Sequence, residues 1–575
     1  MVLALLSLLG FSGVALFPAL RAQRRTAPPP QFVDITRAAG LNFHLTCGGP
    51  QKLYIMESMC GGVAVIDYDN DGWPDIFLVN GSTLEEMKRG DGPTSKLFRN
   101  NHDGTFSDVT EKAGLGHRGW CFGAAVGDYN NDGFDDLYIT CLNGAFLYKN
   151  NGNGTFSDVT AQAGVGNPGR WGTSAAFGDY DRDGNLDLYV ANYVDLDLDH
   201  LPKFGSGPNC QYRGIPVSCG PRGLKGSRDR LYHNNGDGTF TDVTETMHID
   251  PESHYGLGVI WGDYDGDGWP DIYIANDSSP SLLYHNNGGK SFTEVALAAG
   301  VAYSGDGREQ AGMGVDFGDY DNDGWPDLVK TNFSDDTNNL YHNSGDGTFE
   351  DREAPAEFGA ISIPFLGFGV RFFDYDNDGW KDIAIANGHV NPQVDGYSFG
   401  VQYAERMLVF HNLKNGKFEE VGEKLGPALR ERRVGRGLAV ADFFNKGSLD
   451  ILMSELDGSP VLLKNQAKPG VTGGHWISFK LVGTRSNRDG FGARVEITVG
   501  GLKQVDEVRA NSSFESASDS RLHFGLGAAT QVDKVVVHWP SGTVQDAGPT
   551  PADRLLVIRE PMQVQAKGVA SPTKK

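Results

Sequence analysis

Three short phrases recur in fixed order along this 575-residue chain, and any fold must accommodate every copy. The first is an Asp-rich loop of nine residues. It reads DYDNDGWPD at 67–75, DYNNDGFDD at 128–136, DYDRDGNLD at 179–187, DYDGDGWPD at 263–271, DYDNDGWPD at 319–327 and DYDNDGWKD at 374–382, with a decayed seventh copy, DFFNKGSLD, at 442–450. The second is a short strand ending in Asn, from LFRN at 97–100 to LLKN at 462–465. The third follows a Gly-rich turn, as in TFSDVT at 105–110. It is missing after the seventh LLKN and stands instead at the amino end, as QFVDIT at 31–36. That circular shift predicts a closed ring: an all-β, seven-bladed β-propeller over residues 31–466. The first strand fills the outer place of the last blade, so no sheet edge stays open. In the first repeat the expected strands are A (62–67), B (75–80), C (96–100) and D (105–110). The 78 Gly residues, with their Asn-Gly and Asp-Gly pairs, supply the positive φ of the hairpin turns.

Each intact loop sets side-chain oxygens at positions 1, 3, 5 and 9 and a Gly at 6, so that the chain can curl and the oxygens converge. Hard oxygen donors select Ca²⁺. The expected ligands are Asp67, Asp69, Asp71 and Asp75; Asp128, Asn130, Asp132 and Asp136; Asp179, Asp181, Asp183 and Asp187; Asp263, Asp265, Asp267 and Asp271; Asp319, Asp321, Asp323 and Asp327; and Asp374, Asp376, Asp378 and Asp382. The position-7 carbonyls of Trp73, Phe134, Asn185, Trp269, Trp325 and Trp380 complete each shell. About six ions are expected. Loop two, with Asn130, is the weaker site. Loop seven carries Phe444 and Lys446 at ligand positions and is expected to hold no ion, with the Lys446 ammonium in its place. One such loop could be a solvated acidic turn, but six would crowd like charges at a cost that a cation removes. His233, His285 and His342, one per blade, read as strand residues too dispersed to share a metal.

These loops account for the charge. The chain has 74 acidic and 50 basic side chains, a net charge of −24, and 23 carboxylates fall at the four ligand positions of the six intact loops. The balance excludes a nucleic-acid binder, which needs a basic footprint, and 39% hydrophobic residues exclude a disordered acidic tail.

In register, the three phrases resemble FG-GAP (VCBS-type) repeats, as in the integrin α-subunit propeller. From Gly474 the pattern changes to alternating strand candidates such as HWISFKLVG and ARVEITVGG, with Val495, Ile497 and Val499 on one side. A small β-sandwich over 472–561 is expected. GTRSNRDGFGARV at 483–495, RLHFGLG at 521–527 and WPSG at 539–542 resemble the ASPIC/UnbV domain. The whole chain is thus similar to the cartilage acidic protein 1-like family, in a bacterial form. The resemblance implies an extracytoplasmic, calcium-binding, non-enzymatic protein. Arg488, Asp489 and Arg494 match the domain's pattern and read as a salt-bridged turn.

Residues 1–22 have the apolar run of a secretory signal or single membrane anchor, residues 23–30 read as a linker, and 562–575 as a disordered tail. A secreted, periplasmic or cell-surface location follows, with no other membrane contact. Export permits disulfides, and local pairing gives Cys47–Cys60, Cys121–Cys141 and Cys210–Cys219. The long B–C connections at 194–229 and 388–406 are candidate binding loops. Glu57, Trp120, Arg170, Trp171, Tyr255 and Gln310, just before the A strands, are expected to rim the channel as a partner face. Arg89-Gly90-Asp91 is a three-residue adhesion match close to chance. No HExxH, GxSxG, P-loop or Rossmann fingerprint is present. The expected function is therefore a monomeric protein- or glycan-interaction or adhesion module. The alternative is an extracytoplasmic enzyme, a polysaccharide lyase or tailoring enzyme, working on the propeller's loop face.

Overall fold

The computed structural model describes residues 32–562. The expected leader, the linker and all but the first residue of the expected tail lie outside them. Seven four-stranded antiparallel sheets follow one another along the chain. Blade one comprises Val63–Ile66, Asp75–Leu78, Lys96–Asn100 and Phe106–Asp108, within a residue or two of the expected strands. The seventh comprises Gly435–Ala441, Asp450–Glu455, Val461–Asn465 and, as its outer strand, Phe32–Asp34 from the amino end. Phe32 lies opposite Asn465 and Asp34 opposite Leu463, so the chain's first strand closes the seventh blade.

The recurrent Asn explains how blades join. Asn100 Nδ2 donates to the Pro74 carbonyl of its own loop (3.0 Å) and to the Phe443 carbonyl of blade seven (2.9 Å). Asn150, Asn234, Asn286, Asn343, Asn412 and Asn465 donate in the same way to the carbonyls of Tyr68, Tyr129, Tyr180, Tyr264, Tyr320 and Tyr375. Each acceptor is position 2 of the preceding blade's loop. The seven bonds form an unbroken circuit, buried where an unmade bond would be expensive. The third phrase is equally local in purpose. Asp108 Oδ1 accepts from the Thr110 amide and hydroxyl, and Thr110 Oγ1 accepts from the Leu97 amide, fixing the outer strand to its neighbour.

The carboxyl-terminal domain packs a four-stranded sheet against a three-stranded one. The first contains Leu502–Glu507, Arg494–Val499, Lys534–His538 and Val544–Asp546; the second contains Leu522–Gly527, His475–Val482 and Arg554–Arg559. Val495, Ile497 and Val499 face the core between them. His475–Val482 and Arg554–Arg559 run parallel.

This domain sits on the loop face of the ring and sends residues 510–518 into its channel. All nine are buried. The segment bonds to the inner strands of six blades. The Val65 amide donates to the Ala517 carbonyl (2.9 Å) and the Ala124 amide to the Glu515 carbonyl (3.2 Å). The Glu515 amide donates to Ser174 Oγ (3.0 Å), the Val315 amide to the Ser513 carbonyl (3.1 Å), and the Val370 and Val440 amides to Ser513 Oγ and Ser518 Oγ (3.1 Å each). Phe514 is fully buried at the centre, edge-on to Phe368 with ring centroids 4.9 Å apart. A Cβ at Gly62 would collide with the Glu515 carbonyl oxygen, and one at Gly437 with Ser516 Oγ, so these inner-strand glycines make room for the plug.

The opposite mouth is closed by the two long B–C connections. Ile215 and Val217 of the first pack with Val394 and Val401 of the second. Tyr212 rests against Phe399, and Arg213 pairs with Asp335. Leu196, Leu198, Leu201 and Tyr403 pack onto the apolar core that fills the channel.

Replacing Phe514 by Ala should cost about 3–5 kcal/mol, the usual range for emptying a buried aromatic site. Gly62→Val should prevent the plug from seating. Urea titration followed by tryptophan fluorescence would register both as lowered midpoints. Unchanged midpoints would show that the plug contributes nothing to stability.

Candidate metal centres and the buried partner face

Each Asp loop lies between strands A and B of its blade, and its first and last carboxylates are set by backbone amides. Asp128 accepts from the Asp132 and Gly133 amides (3.0 and 2.6 Å), Asp319 from those of Asp323 and Gly324, and Asp374 from those of Asp378 and Gly379. The Trp73 amide donates to Asp71 Oδ1 (2.9 Å), and the same position-7 bond recurs at Phe134, Asn185, Trp269, Trp325 and Trp380. The position-9 Asp is pinned from both sides. Asp75 accepts from the Tyr68 amide and from the amide of Asn100, the residue whose side chain joins the blades.

These carboxylates are closely gathered. Ligand atoms of Asp181, Asp183 and His233 lie within 4.8 Å of one another, as do those of Asp265, Asp267 and His285, of Asp321, Asp323 and His342, and of Asp376, Asp378 and His411. The histidines, read as strand residues one per blade, each flank their own blade's loop: His233 Nδ1 is 3.1 Å from Asp187 Oδ1. Arg99 and Lys149 hold the same place in blades one and two, 2.8 Å from Asp69 and 3.3 Å from Asp132. The alignable signal was the residue preceding each conserved Asn, basic in all seven phrases.

Do the loops suit a cation? Within the seven Asp loops, five buried carboxylate oxygens have no hydrogen-bond partner: Asp69 Oδ1, Asp179 Oδ1, Asp263 Oδ1, Asp376 Oδ1 and Asp450 Oδ2. Four belong to intact loops, and a hard cation is the partner such atoms lack. Loop two answers part of its own demand, Asn130 Nδ2 donating to Asp136 Oδ2 (3.1 Å). Loop seven is handled differently from the expectation. Lys446 is exposed; Lys464 lies over the Phe444 ring at 3.8 Å, and Arg521 donates to the Asp442 carbonyl and Asn445 Oδ1. The cation comes from strand C and from the second domain because Lys446 sits at the solvent edge.

The expected partner face is corrected throughout. Trp120 and Trp171 are 1% exposed, packed in the channel core, with Trp171 against Phe122 and Tyr193. Glu57 is buried, and its carboxylate accepts from the amides of Gly49, Leu53 and Tyr54. Gln310, also buried, bonds Asp336 and the Lys330 ammonium. Arg170 donates to Ser227 Oγ and the Tyr255 hydroxyl to the Leu224 carbonyl, so both hold down the 194–229 connection. The channel rim is interior because two loops cover it. Arg488, Asp489 and Arg494 also do more than brace a turn. Their domain docks on the Asp loops: the Arg488 amide donates to Asn131 Oδ1 (2.9 Å), Asp489 Oδ2 accepts from the Asp128 amide (2.7 Å), and Arg494 reaches the Gly324 carbonyl (2.9 Å). The three disulfides pair as expected: Cys47–Cys60, Cys121–Cys141 and Cys210–Cys219.

Burial, reinforced by neighbouring loop carboxylates, pushes the metal-free Asp75 and Asp187 up to about 8 and Asp327 and Asp382 up to about 7 from an ordinary 3.8. A carboxyl raised in the folded state stabilises fully below its unfolded value, and the gain is lost as pH climbs through the folded one. In chelator, the melting temperature should therefore fall between about pH 4 and 8. The increment restored by calcium should grow over the same window, since ionised carboxylates bind it. A flat profile in chelator would contradict this.

The chain matches the FG-GAP-like repeat family over residues 67–139, 128–190, 222–274, 263–330 and 331–385, and the ASPIC and UnbV domain over 483–565. It is 26% identical over 501 residues to human cartilage acidic protein 1, covering 84% of this chain and 69% of that protein. Against the mouse protein it is 25% identical over 506 residues, covering 84% and 70%. Among solved structures, an Agrocybe aegerita lectin described as recognising non-reducing terminal N-acetylglucosamine aligns at a TM-score of 0.37 and 17% identity, over 70% of this chain and 87% of the lectin. BBS1N, from its complex with ARL6DN, aligns at 0.39 and 10%, over 76% and 98%. With its repeats, its terminal domain and its length-wide similarity in agreement, the chain belongs to the FG-GAP-repeat proteins that carry an ASPIC/UnbV domain, the family that includes cartilage acidic protein 1.

Proposed function

We propose that the protein is an exported, calcium-stabilised interaction module that binds a protein or glycan through its outer surface without chemical turnover. The observation that carries this reading is the filled channel. Phe514 and the surrounding plug occupy it from one side, and the two long connections cover the other. Glu57, the carboxylate expected at the channel rim, spends its oxygens on backbone amides. Three disulfides fit an oxidising compartment. No helix among the described residues is long and apolar enough to cross a membrane.

In this reading the loop carboxylates at positions 1, 3, 5 and 9 hold the ions. Calcium supplies charge neutralisation and a fixed coordination demand, and no reaction passes through it. The chain's own residues do the rest. The position-9 Asp orients strand C, and the Asn beyond it ties that strand to the preceding blade.

Elemental analysis of the dialysed protein should give about six calcium ions per chain, with Asn130→Asp tightening the weakest site; fewer than three would sink the metal assignment. On secreted-protein and glycan arrays, saturable binding without product formation is expected. Turnover of any bound glycan would transfer the protein to the enzyme reading.

A further inference from the structure

A surface cavity on the covered mouth, about 800 Å³, lies between the 388–406 connection, Pro364–Phe365 and the approach to blade seven. It sits away from the docked second domain and contains none of the metal loops. Its lining sets Arg406, Arg430 and Arg432 beside Asp395, Glu405 and Glu423. The Arg430 and Arg432 side chains are exposed. Arg432 has no side-chain partner among the described residues, and Arg430 uses only Nε, on the Glu423 carbonyl. Arg406, by contrast, is fully engaged by Glu420 in a two-pronged pair and belongs to the wall.

Two further features give the cavity a built character. Glu405 is 4% exposed and lines it; Oε2 accepts from the Leu366 amide (2.8 Å), while Oε1 has no partner at all. A buried carboxyl oxygen without a partner is costly unless something completes it. Tyr397, 52% exposed, lies flat on Phe399 with ring centroids 5.3 Å apart and planes at 6°. Such a ring is an apolar platform already fixed in place, so little ordering entropy is spent when a ligand covers it.

We propose that this cavity binds an acidic oligosaccharide: a pyranose lays its apolar C–H face on Tyr397, and a carboxylate or sulfate on the sugar is taken by Arg430 and Arg432, with the Glu405 carboxyl buried in the wall behind. A planar guanidinium matches a carboxylate or sulfate with paired N–H donors, and a sugar offers the alternation of apolar face and hydroxyl that the wall presents. Burial holds the Glu405 carboxyl well above its ordinary range. The site deepens the interaction-module reading and rests on it, but it specifies one place and one ligand class that the reading leaves open.

The test uses the full calcium-loaded protein and isothermal titration. Oligogalacturonate carries the carboxylate arm, a sulfated dextran oligomer the sulfate arm, and unmodified dextran is the neutral control. Saturable binding of at least one charged probe is expected, weakening as salt rises. It should weaken at least tenfold in Tyr397→Ala and in the Arg430→Ala/Arg432→Ala double variant, and be unchanged in Arg89→Ala on the far side of the sequence. All the substituted side chains are exposed, so unchanged melting curves should accompany the loss. Failure of both charged probes to bind, binding unaffected by the variants, or equal binding of poly-glutamate would each overturn the proposal. If the arrays yield a partner whose binding survives both variants, this site fails while the interaction-module reading stands. If they yield turnover, that reading fails first.

Discussion

Every blade is tied to its predecessor by the side-chain amide of the Asn that ends strand C, which reaches a loop carbonyl one blade back. The backbone amide of that same Asn is held by the position-9 carboxylate of its own loop. Blade spacing and metal-loop geometry are therefore one mechanical system. A change in the charge state of Asp75 or Asp187 acts within one residue of an inter-blade bond. This explains why strongly acidic loops are tolerated at the seams. The carboxylates that repel one another when bare are also those that locate the next strand, and a bound cation relieves the first effect without disturbing the second.

The ring was legible because it is written seven times. A residue repeated at a fixed offset from Asp-Gly turns needs no tertiary information to be placed, and the circular shift of QFVDIT announces its pairing with LLKN. Disulfide partners were readable for the same local reason: Cys121 and Cys141 stand opposite each other across one hairpin. What escaped was everything non-periodic. The plug, NSSFESAS at 511–518, contains only Phe514 and Ala517 as apolar side chains among polar ones and looks like an exposed loop. It is buried because its backbone and serine hydroxyls exchange hydrogen bonds with strands as distant as that of Val63, 453 residues from Ser516, which no local pattern encodes. The misplacement of Trp120, Trp171 and Glu57 follows directly, since a rim residue becomes a core residue once two distant loops cross over it. The basic residue before each Asn was visible but was read blade by blade, and only the folded loop brings His233 beside Asp181 and Asp187.

Closing both mouths moves the working surface of this propeller to its outside. The face of the metal loops is largely occupied by the second domain, through Arg488, Asp489, Arg494 and Arg521. The opposite face is surfaced by connections that vary in length from blade to blade, and the blade-six connection is the one that leaves an open, polar, aromatic-edged hollow. The scaffold and the variable surface are thus divided along the ring axis: periodic residues hold the shape, and non-periodic ones meet solvent.

The order in which the plug and the first strand find their partners has a temporal meaning. Phe32–Asp34 is synthesised about 430 residues before its partner Val461–Asn465 and must wait for it, and the channel is lined by apolar inner strands until residues 510–518 arrive. For nearly the whole of synthesis the nascent chain carries an unpaired β-edge and an unfilled hydrophobic bore, both of which invite wrong partners. Such a chain has no folded halfway house to rest in. Its need for protection during biogenesis is set by topology, and truncation anywhere before the plug should yield material that a quality-control system treats as unfinished.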